Sequence, residues 1–253
     1  MKKSHIAGWV SDSPTPAQLA EFFRQCQGPD PRVTKDRLQR FLRGDNPLSG
    51  YGLAHEILGQ DFITPEEVAR AKGLVYTDDF LQQFENTLPS EDVLRYCREN
   101  GFVLVAGPPQ SMNLLEIRNL KPEYFYSKSG GWFAEDRQRF SREDKVNPGW
   151  LALRKEPVSN STSKNWDEQF QLLADAEQVP NAAEVVWGLT TYKAVRDIYL
   201  LPNVYVRTSS LGSGGLRVYV GHFDGAGLFL ICNRWGDLRD GGLGLAASLK
   251  FQK

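Results

Sequence analysis

Three histidines and three cysteines are the side chains of this chain best suited to hold a metal or to attack a carbonyl, and their spacing serves neither task. His5, His55 and His222 are isolated: none has a second histidine at i+4 or a cysteine at ligand spacing, the arrangements that put two donors on one ion. His55 and Glu56 lack the rest of a zincin helix. Cys26, Cys97 and Cys232 are odd in number and widely spread, which argues against a disulfide framework and for a reducing compartment. Cys232 has no neighbouring base or second thiol in the sequence, so an inert thiol is the simpler reading. Gly212, Ser213, Gly214 and Gly215 follow a strand-like run as a phosphate loop would, yet neither the lysine nor the helix comes after them, which leaves a turn. Asp224 and Asp237 are a carboxylate pair of the kind used in acid–base work, but nothing in the sequence brings them into one pocket. No catalytic residue, metal ligand or cofactor is expected.

The informative feature is an absence. Residues 203–248 contain no Lys, Glu, Gln, Met or Pro, although Lys, Glu, Gln and Met total 42 residues over the chain. At the rate of the rest, roughly nine would fall in this stretch against ordinary composition. Codons offer one cause: asparagine codons ending in a pyrimidine, randomised at their adenines, never yield Lys, Glu, Gln, Met or Trp. Trp235 would then be a fixed residue within a varied segment. Gly-rich β-structure also disfavours Lys and Glu, and both causes stay open.

The elements that must carry this stretch belong to a chain of 253 residues, enough for one large domain, or one domain and a small extension. Its 41% apolar and 24% charged residues are ordinary globular values. A net charge of −1 and a pI near 6.3 give no case for nucleic acid, which needs a basic face. No export signal follows the basic start and no run is long enough to span a membrane. A cytoplasmic product is the expectation, with display on a virion or a surface left open.

Thr15 and Pro16 open a helix whose Leu19, Phe22 and Phe23 share one face, ended by Gly28 and Pro29. Thr34 starts a second, with Leu38, Phe41 and Leu42 on one side and Lys35, Arg37, Arg40 and Arg43 on the other. A helix-turn-helix contact with DNA is the sharp reading of that basic face, and a solvated surface is the plain one. Residues 45–59 read as a connector. Thr64 and Pro65 begin another helix, 74–76 a strand, 90–100 a helix and 102–105 a strand. Farther on, 132–133 and 150–153 read as short strands, 166–176 and 183–197 as helices. Short strands then follow at 204–206, 217–220, 228–231 and 244–246, separated by Gly-rich turns.

This order of helix and strand, second helix, then short strands resembles the C-type lectin-like fold in its bacterial and phage form, over roughly residues 74–253. Asn100-Gly101-Phe102-Val103-Leu104 is similar to the Gly-Trp-x-Leu-Pro element of that fold, with Val105-Ala106-Gly107-Pro108 displacing the proline. Val206-Arg207-Thr208-Ser209-Ser210 is similar to its Trp-Ser-Ser-Thr strand, and Gly242-Leu243-Gly244-Leu245-Ala246 to its closing Gly-Phe-Arg-Leu strand. Within the fold, Arg217-Val218-Tyr219-Val220-Gly221-His222-Phe223-Asp224, followed by Gly227-Leu228, resembles the variable proteins of diversity-generating retroelements. In those systems a reverse transcriptase miscopies template adenines and the altered copy replaces the 3′ part of the gene. The resemblance implies an α+β fold of short antiparallel strands with two helices, preceded by a small helical N-terminal module. It places the module at 1–70, the lectin-like domain at 71–253 and the variable segment at 203–248.

A site that accepts many residue types cannot lie in a core, where one methylene is worth on the order of a kilocalorie per mole. It must be exposed and held by a frame. Val218, Val220, Phe223, Leu228, Leu243 and Leu245 read as that frame, with Arg217 and Asp224 as a pair. The positions between them are the expected ligand-binding residues: Leu211, Ser213, Leu216, Tyr219, His222, Ala226, Phe229, Ile231, Cys232, Asn233, Arg234, Trp235, Asp237, Leu238 and Asp240. The consecutive apolar run 229–232 fits a buried strand or an exposed patch equally. Tyr219, Phe229, Arg234 and Trp235 are of the types that dominate interface energetics. The implied function is recognition of a protein or glycan target without catalysis. A calcium-dependent sugar site is not implied, because Trp235-Gly236-Asp237 only echoes the Trp-Asn-Asp of such sites and Glu156-Pro157-Val158 does not supply their Glu-Pro-Asn loop. The alternatives are an enzyme of the formylglycine-generating type, which shares the fold but needs two cysteines where this chain has Cys232 alone, and a DNA-associated regulator.

Overall fold

The computed structural model describes residues 15–27, 31, 33–43, 50–232 and 238–250, and the chain divides into two compact units, residues 1–53 and 54–253. The division lies well before residue 70, where the sequence places it. In the first unit the capping signals act as expected. The Thr15 hydroxyl accepts from the Gln18 N–H, the Gln18 side chain accepts from the Thr15 N–H, and Pro16 opens the helix Pro16–Gln25. A second helix spans Lys35–Leu42. Their faces depart from the expectation: Leu19 is 45% exposed, Phe23 61% and Leu42 67%, whereas Arg37 is buried. The amphipathic spacing holds, but among the described residues these two helices, of ten and eight residues, leave those side chains without a covering layer. Residues expected as a connector include the helix Gly50–Leu58, where Leu53, Ala54, Ile57 and Leu58 recur on one buried face.

The strands of the second unit are, in chain order, β1 (Phe62–Ile63), β2 (Phe102–Ala106), β3 (Met112–Asn113), β4 (Lys145–Val146), β5 (Trp150–Arg154), β6 (Glu177–Gln178), β7 (Tyr205–Leu211), β8 (Arg217–Asp224), β9 (Gly227–Cys232), β10 (Leu243–Leu245) and β11 (Ser248–Leu249). They form a five-stranded sheet, β1-β2-β5-β11-β6, a four-stranded sheet, β10-β7-β8-β9, and the β3–β4 pair. Pairing is antiparallel except at β1–β2 and β10–β7. The class is α+β.

β2 reads Phe-Val-Leu-Val-Ala without alternation because both of its faces are covered, and all five residues have no exposed surface. The helix Glu91–Glu99 packs on it, and so does the helix Ala182–Arg196, which also touches β5, β7 and β8. That 15-residue helix is the hub of the unit. Asn181 and Glu184 form its capping box, and apart from half-buried Glu184 the residues 182–192 are buried all round, as in a helix enclosed by a core. A Cβ on Gly188 would come 2.6 Å from Leu153 Cδ2, so the helix seats on β5 through a residue with no side chain.

Several expected elements differ. Residues 74–76 are irregular, with Val75 83% exposed, and the first strand is instead Phe62–Ile63, too short to show a period. Trp132–Ala134 is a single 3-10 turn, not a strand. The helix after Asn165 stops at Phe170. Helices Asp78–Asn86 and Leu114–Leu120 were not foreseen. Helix Pro65–Lys72, assigned by sequence to the N-terminal module, packs on Ala182–Arg196 inside the second unit. Among the described residues no helix is long and apolar enough to cross a membrane.

Candidate functional site

The antiparallel meander β7–β8–β9 alternates its side chains between two faces. One cross-strand row, Val206, Val220 and Leu230, faces the core; Val218, Phe223 and Leu228 are buried with it, as are Leu243 and Leu245 of the neighbouring β10 and its turn. The whole expected frame is therefore buried. The next rows, Arg207–Tyr219–Ile231 and Tyr205–Gly221–Phe229, stand on the opposite face.

On or beside that face, Leu211 is 47% exposed and Ala226 and Asp240 are exposed, while Ser213, Leu216, His222, Phe229, Ile231, Cys232 and Leu238 are half-buried. Asn233, Arg234, Trp235 and Asp237 lie outside the described residues. Tyr219 departs from the expectation. The pleat does turn it outward, but it is 2% exposed because Arg207 roofs it. The Arg207 guanidinium lies 5.5 Å from the Tyr219 ring and donates to the Lys164 carbonyl, the Gln169 side-chain oxygen and the Leu238 carbonyl, drawing those segments over the row. Arg217 and Asp224 do not pair either. They are the first and last residues of an eight-residue strand, roughly 23 Å apart at strand rise. Arg217 instead donates to the Ser209 carbonyl at 2.9 Å and lies 3.7 Å from the Trp166 ring centre, a cation–π contact. Asp224 accepts from the Ala226 N–H at 2.8 Å inside the β8–β9 turn.

Among the described residues β9 is an edge strand, and its carbonyls would be open to any passing strand. An upstream segment covers them. The Tyr126 N–H donates to Leu228 O at 3.2 Å, and the Trp132 indole N–H donates to Leu230 O at 2.7 Å. At the β7–β8 turn, buried Gln138 accepts from the Ser213 N–H at 2.8 Å and donates to the Ser213 hydroxyl at 3.0 Å. Farther along, Ser163 N–H donates to Asp240 O at 2.9 Å. Most of these contacts reach the backbone of the 203–248 segment and ignore its side chains. Phe229 does rest on an upstream side chain, stacked on Tyr126 with ring centres 4.2 Å apart.

Ser213, Leu216, Ile231 and Cys232 come together in one cavity of about 420 Å³, completed by Trp132, Arg137 and Gln138. None of the three upstream residues is among the expected ligand-binding residues. Trp132 sits between Gly131 and Phe133, and that Gly-bounded aromatic run was the only signal present. A cavity of about 490 Å³ lies at residues 198–204, beside Gln60, Lys155 and Tyr192, and holds none of the expected residues. Burial raises the Cys232 thiol above its ordinary range, with Arg137 and Glu135 acting on it in opposite senses. Cys97, enclosed on the helix against β2, is pushed up to about 12 by burial. Both shifts favour the protonated, unreactive thiol. Among the described residues no group of three His, Cys, Asp or Glu side chains could hold a metal. The arrangement offers shape and contact: an apolar floor, a polar rim and a hydrogen-bonded mount. Compared with known proteins, the chain matches no family model, no curated protein and no solved structure.

Proposed function

We propose that this chain is a recognition protein, a variable protein of a diversity-generating retroelement with a C-type lectin-like fold, binding a protein or glycan target without catalysis. The contact surface is the outer face and rim of β7–β9, with Leu211, Ser213, Leu216, His222, Ala226, Phe229, Ile231, Cys232, Leu238 and Asp240. One observation carries the reading: upstream residues hold the β7–β8 turn and the β9 edge of this segment through its main chain, at Leu228 O, Leu230 O, Ser213 N–H and Asp240 O. A surface whose side chains change between copies needs supports that do not depend on those side chains. A preformed mount also lowers the ordering cost of binding. The fold likeness draws support from β11, near the end of the chain, returning beside β5 while β7–β9 form a separate sheet. An enzyme of the formylglycine-generating type would need a second thiol beside Cys232; Cys97 is packed against β2 of the other sheet.

The test is made on DNA. Several kilobases around the gene are sequenced for a near-copy of codons 203–248 whose mismatches fall only at template adenines, beside a reverse-transcriptase frame. Finding both supports the proposal. A clean absence reduces the missing Lys, Glu, Gln and Met to an accident of composition and removes the basis for diversification.

A further inference from the structure

Away from the recognition face, one buried group stands without the partner its chemistry calls for. Lys72, the last residue of the helix Pro65–Lys72, is 5% exposed. Its amine donates to the Thr190 hydroxyl at 3.0 Å and lies 4.8 Å from the Trp187 ring centre, both on the helix Ala182–Arg196. Thr190 spends its own proton on Val186 O at 2.8 Å, so it offers Lys72 an acceptor only. An ammonium carries three N–H donors. Here it meets one oxygen and one ring face, and among the described residues no carboxylate bonds or pairs with it. The charged group acting on it at longer range is Lys121, after the helix Leu114–Leu120, and that charge is of the same sign. Burial, and then Lys121, hold the amine down to about 7.

The other end of the same helix is pinned. Thr64 and Glu67 form a capping box, and Arg196 joins Glu67 at 2.6 Å while also donating to Gln60 O and Phe62 O. Just past Lys72 the chain turns through Gly73, at φ +68°, into the irregular residues 74–77.

We propose that the Lys72 end of this helix is a proton-coupled hinge: on taking up a proton the ammonium leaves its seat on Ala182–Arg196, while the Glu67–Arg196 pair keeps the other end docked. The sign follows from linkage. The released amine binds protons up to its ordinary value of 10.5 and the seated one only up to about 7, so opening takes up a proton between those values. Opening becomes roughly tenfold easier for each pH unit of acidification across that window, and levels off below it.

The test is amide hydrogen exchange on the full chain from pH 6 to pH 10, corrected for intrinsic exchange rates, in the wild type and in Lys72→Met. The hinge predicts that amides near residues 70–74 open more often than those of β8. Their opening constant rises as pH falls toward about 7, and Lys72→Met abolishes that slope and slows opening at pH 7 by a hundredfold or more. An unchanged slope in the variant overturns the proposal. So does equal opening at β8, which would make the event global. Should the variant fail to fold, a 13C titration of the lysine ε-carbons in the wild type decides. A Lys72 resonance moving near pH 7 supports the hinge, and one moving near 10.5 overturns it.

Discussion

The two main sheets use the same strand geometry to opposite ends. β2 is covered on both faces and every residue of it is sealed from solvent. β8 reads Arg-Val-Tyr-Val-Gly-His-Phe-Asp, and its partners differ by face: Val218 and Val220 enter the core, whereas the opposite face carries Arg217 and leads to the half-buried rim of β9. Freedom to substitute follows from the second layer on a face and not from the strand. In β2 no position is free. In β7–β9 freedom varies residue by residue, since Tyr219 is sealed while Ile231, its cross-strand neighbour, is partly open.

The largest effect tests whether the open sheet contains positions as strict as any in the closed one. Gly221 on β8 has no room for a side chain: a Cβ would lie 2.1 Å from Val204 O and 2.7 Å from Tyr205 Cα, both backbone atoms. Gly221→Ala is expected to cost about 4 kcal/mol or more, the range of disruptive single changes, read from the urea midpoint. A cost under about 1 kcal/mol would mean the β7–β8 pair parts easily and the mount is soft. Leu104→Ala on β2 deletes a fully buried side chain between two layers and should cost about 3 kcal/mol, by the cavity it leaves. Equal costs for Leu104→Ala and for alanine at an outward β9 position would erase the contrast between the sheets.

Gln138→Ala leaves the Ser213 N–H without its acceptor and should cost about 1–2 kcal/mol. Exchange at the β7–β8 turn should rise while β2 stays protected, which separates loss of the mount from loss of the core. Leu211→Ser, at 47% exposure and on the outward face, should move stability by no more than about 0.5 kcal/mol. A larger loss would mark Leu211 as structural and remove it from the recognition surface.

Legibility in the sequence followed the range of the forces involved. Two capped helices were readable because each cap is closed within four residues, Thr15 with Gln18 and Thr64 with Glu67; Leu114–Leu120, whose Asn113–Glu116 box is just as local, is not in the sequence expectation. The alternating frame of β8 was readable because a pleat has period two. β1 and β11 were not, since a two-residue strand has no period and exists only because β2 and β5 accept it. The recognition rim was half legible. Ser213, Leu216, Ile231 and Cys232 could be proposed from their place between frame residues, but Trp132, Arg137 and Gln138 come from 75 or more residues away and no local pattern ties them to the turn.

What the sequence determined by itself is local: the Thr-capped helix starts at Pro16 and Pro65, the buried frame of β8, and a composition gap confined to one stretch. Tertiary structure decided which outward positions are open. Arg207 reaches three acceptors on segments 31 to 43 residues distant and closes the face over Tyr219. Trp132 reaches across 98 residues to close the edge of β9. Periodicity can say which way a side chain leaves the backbone, because that is set by the dihedral angles of its own strand. What stands above it depends on loop closure from elsewhere in the chain.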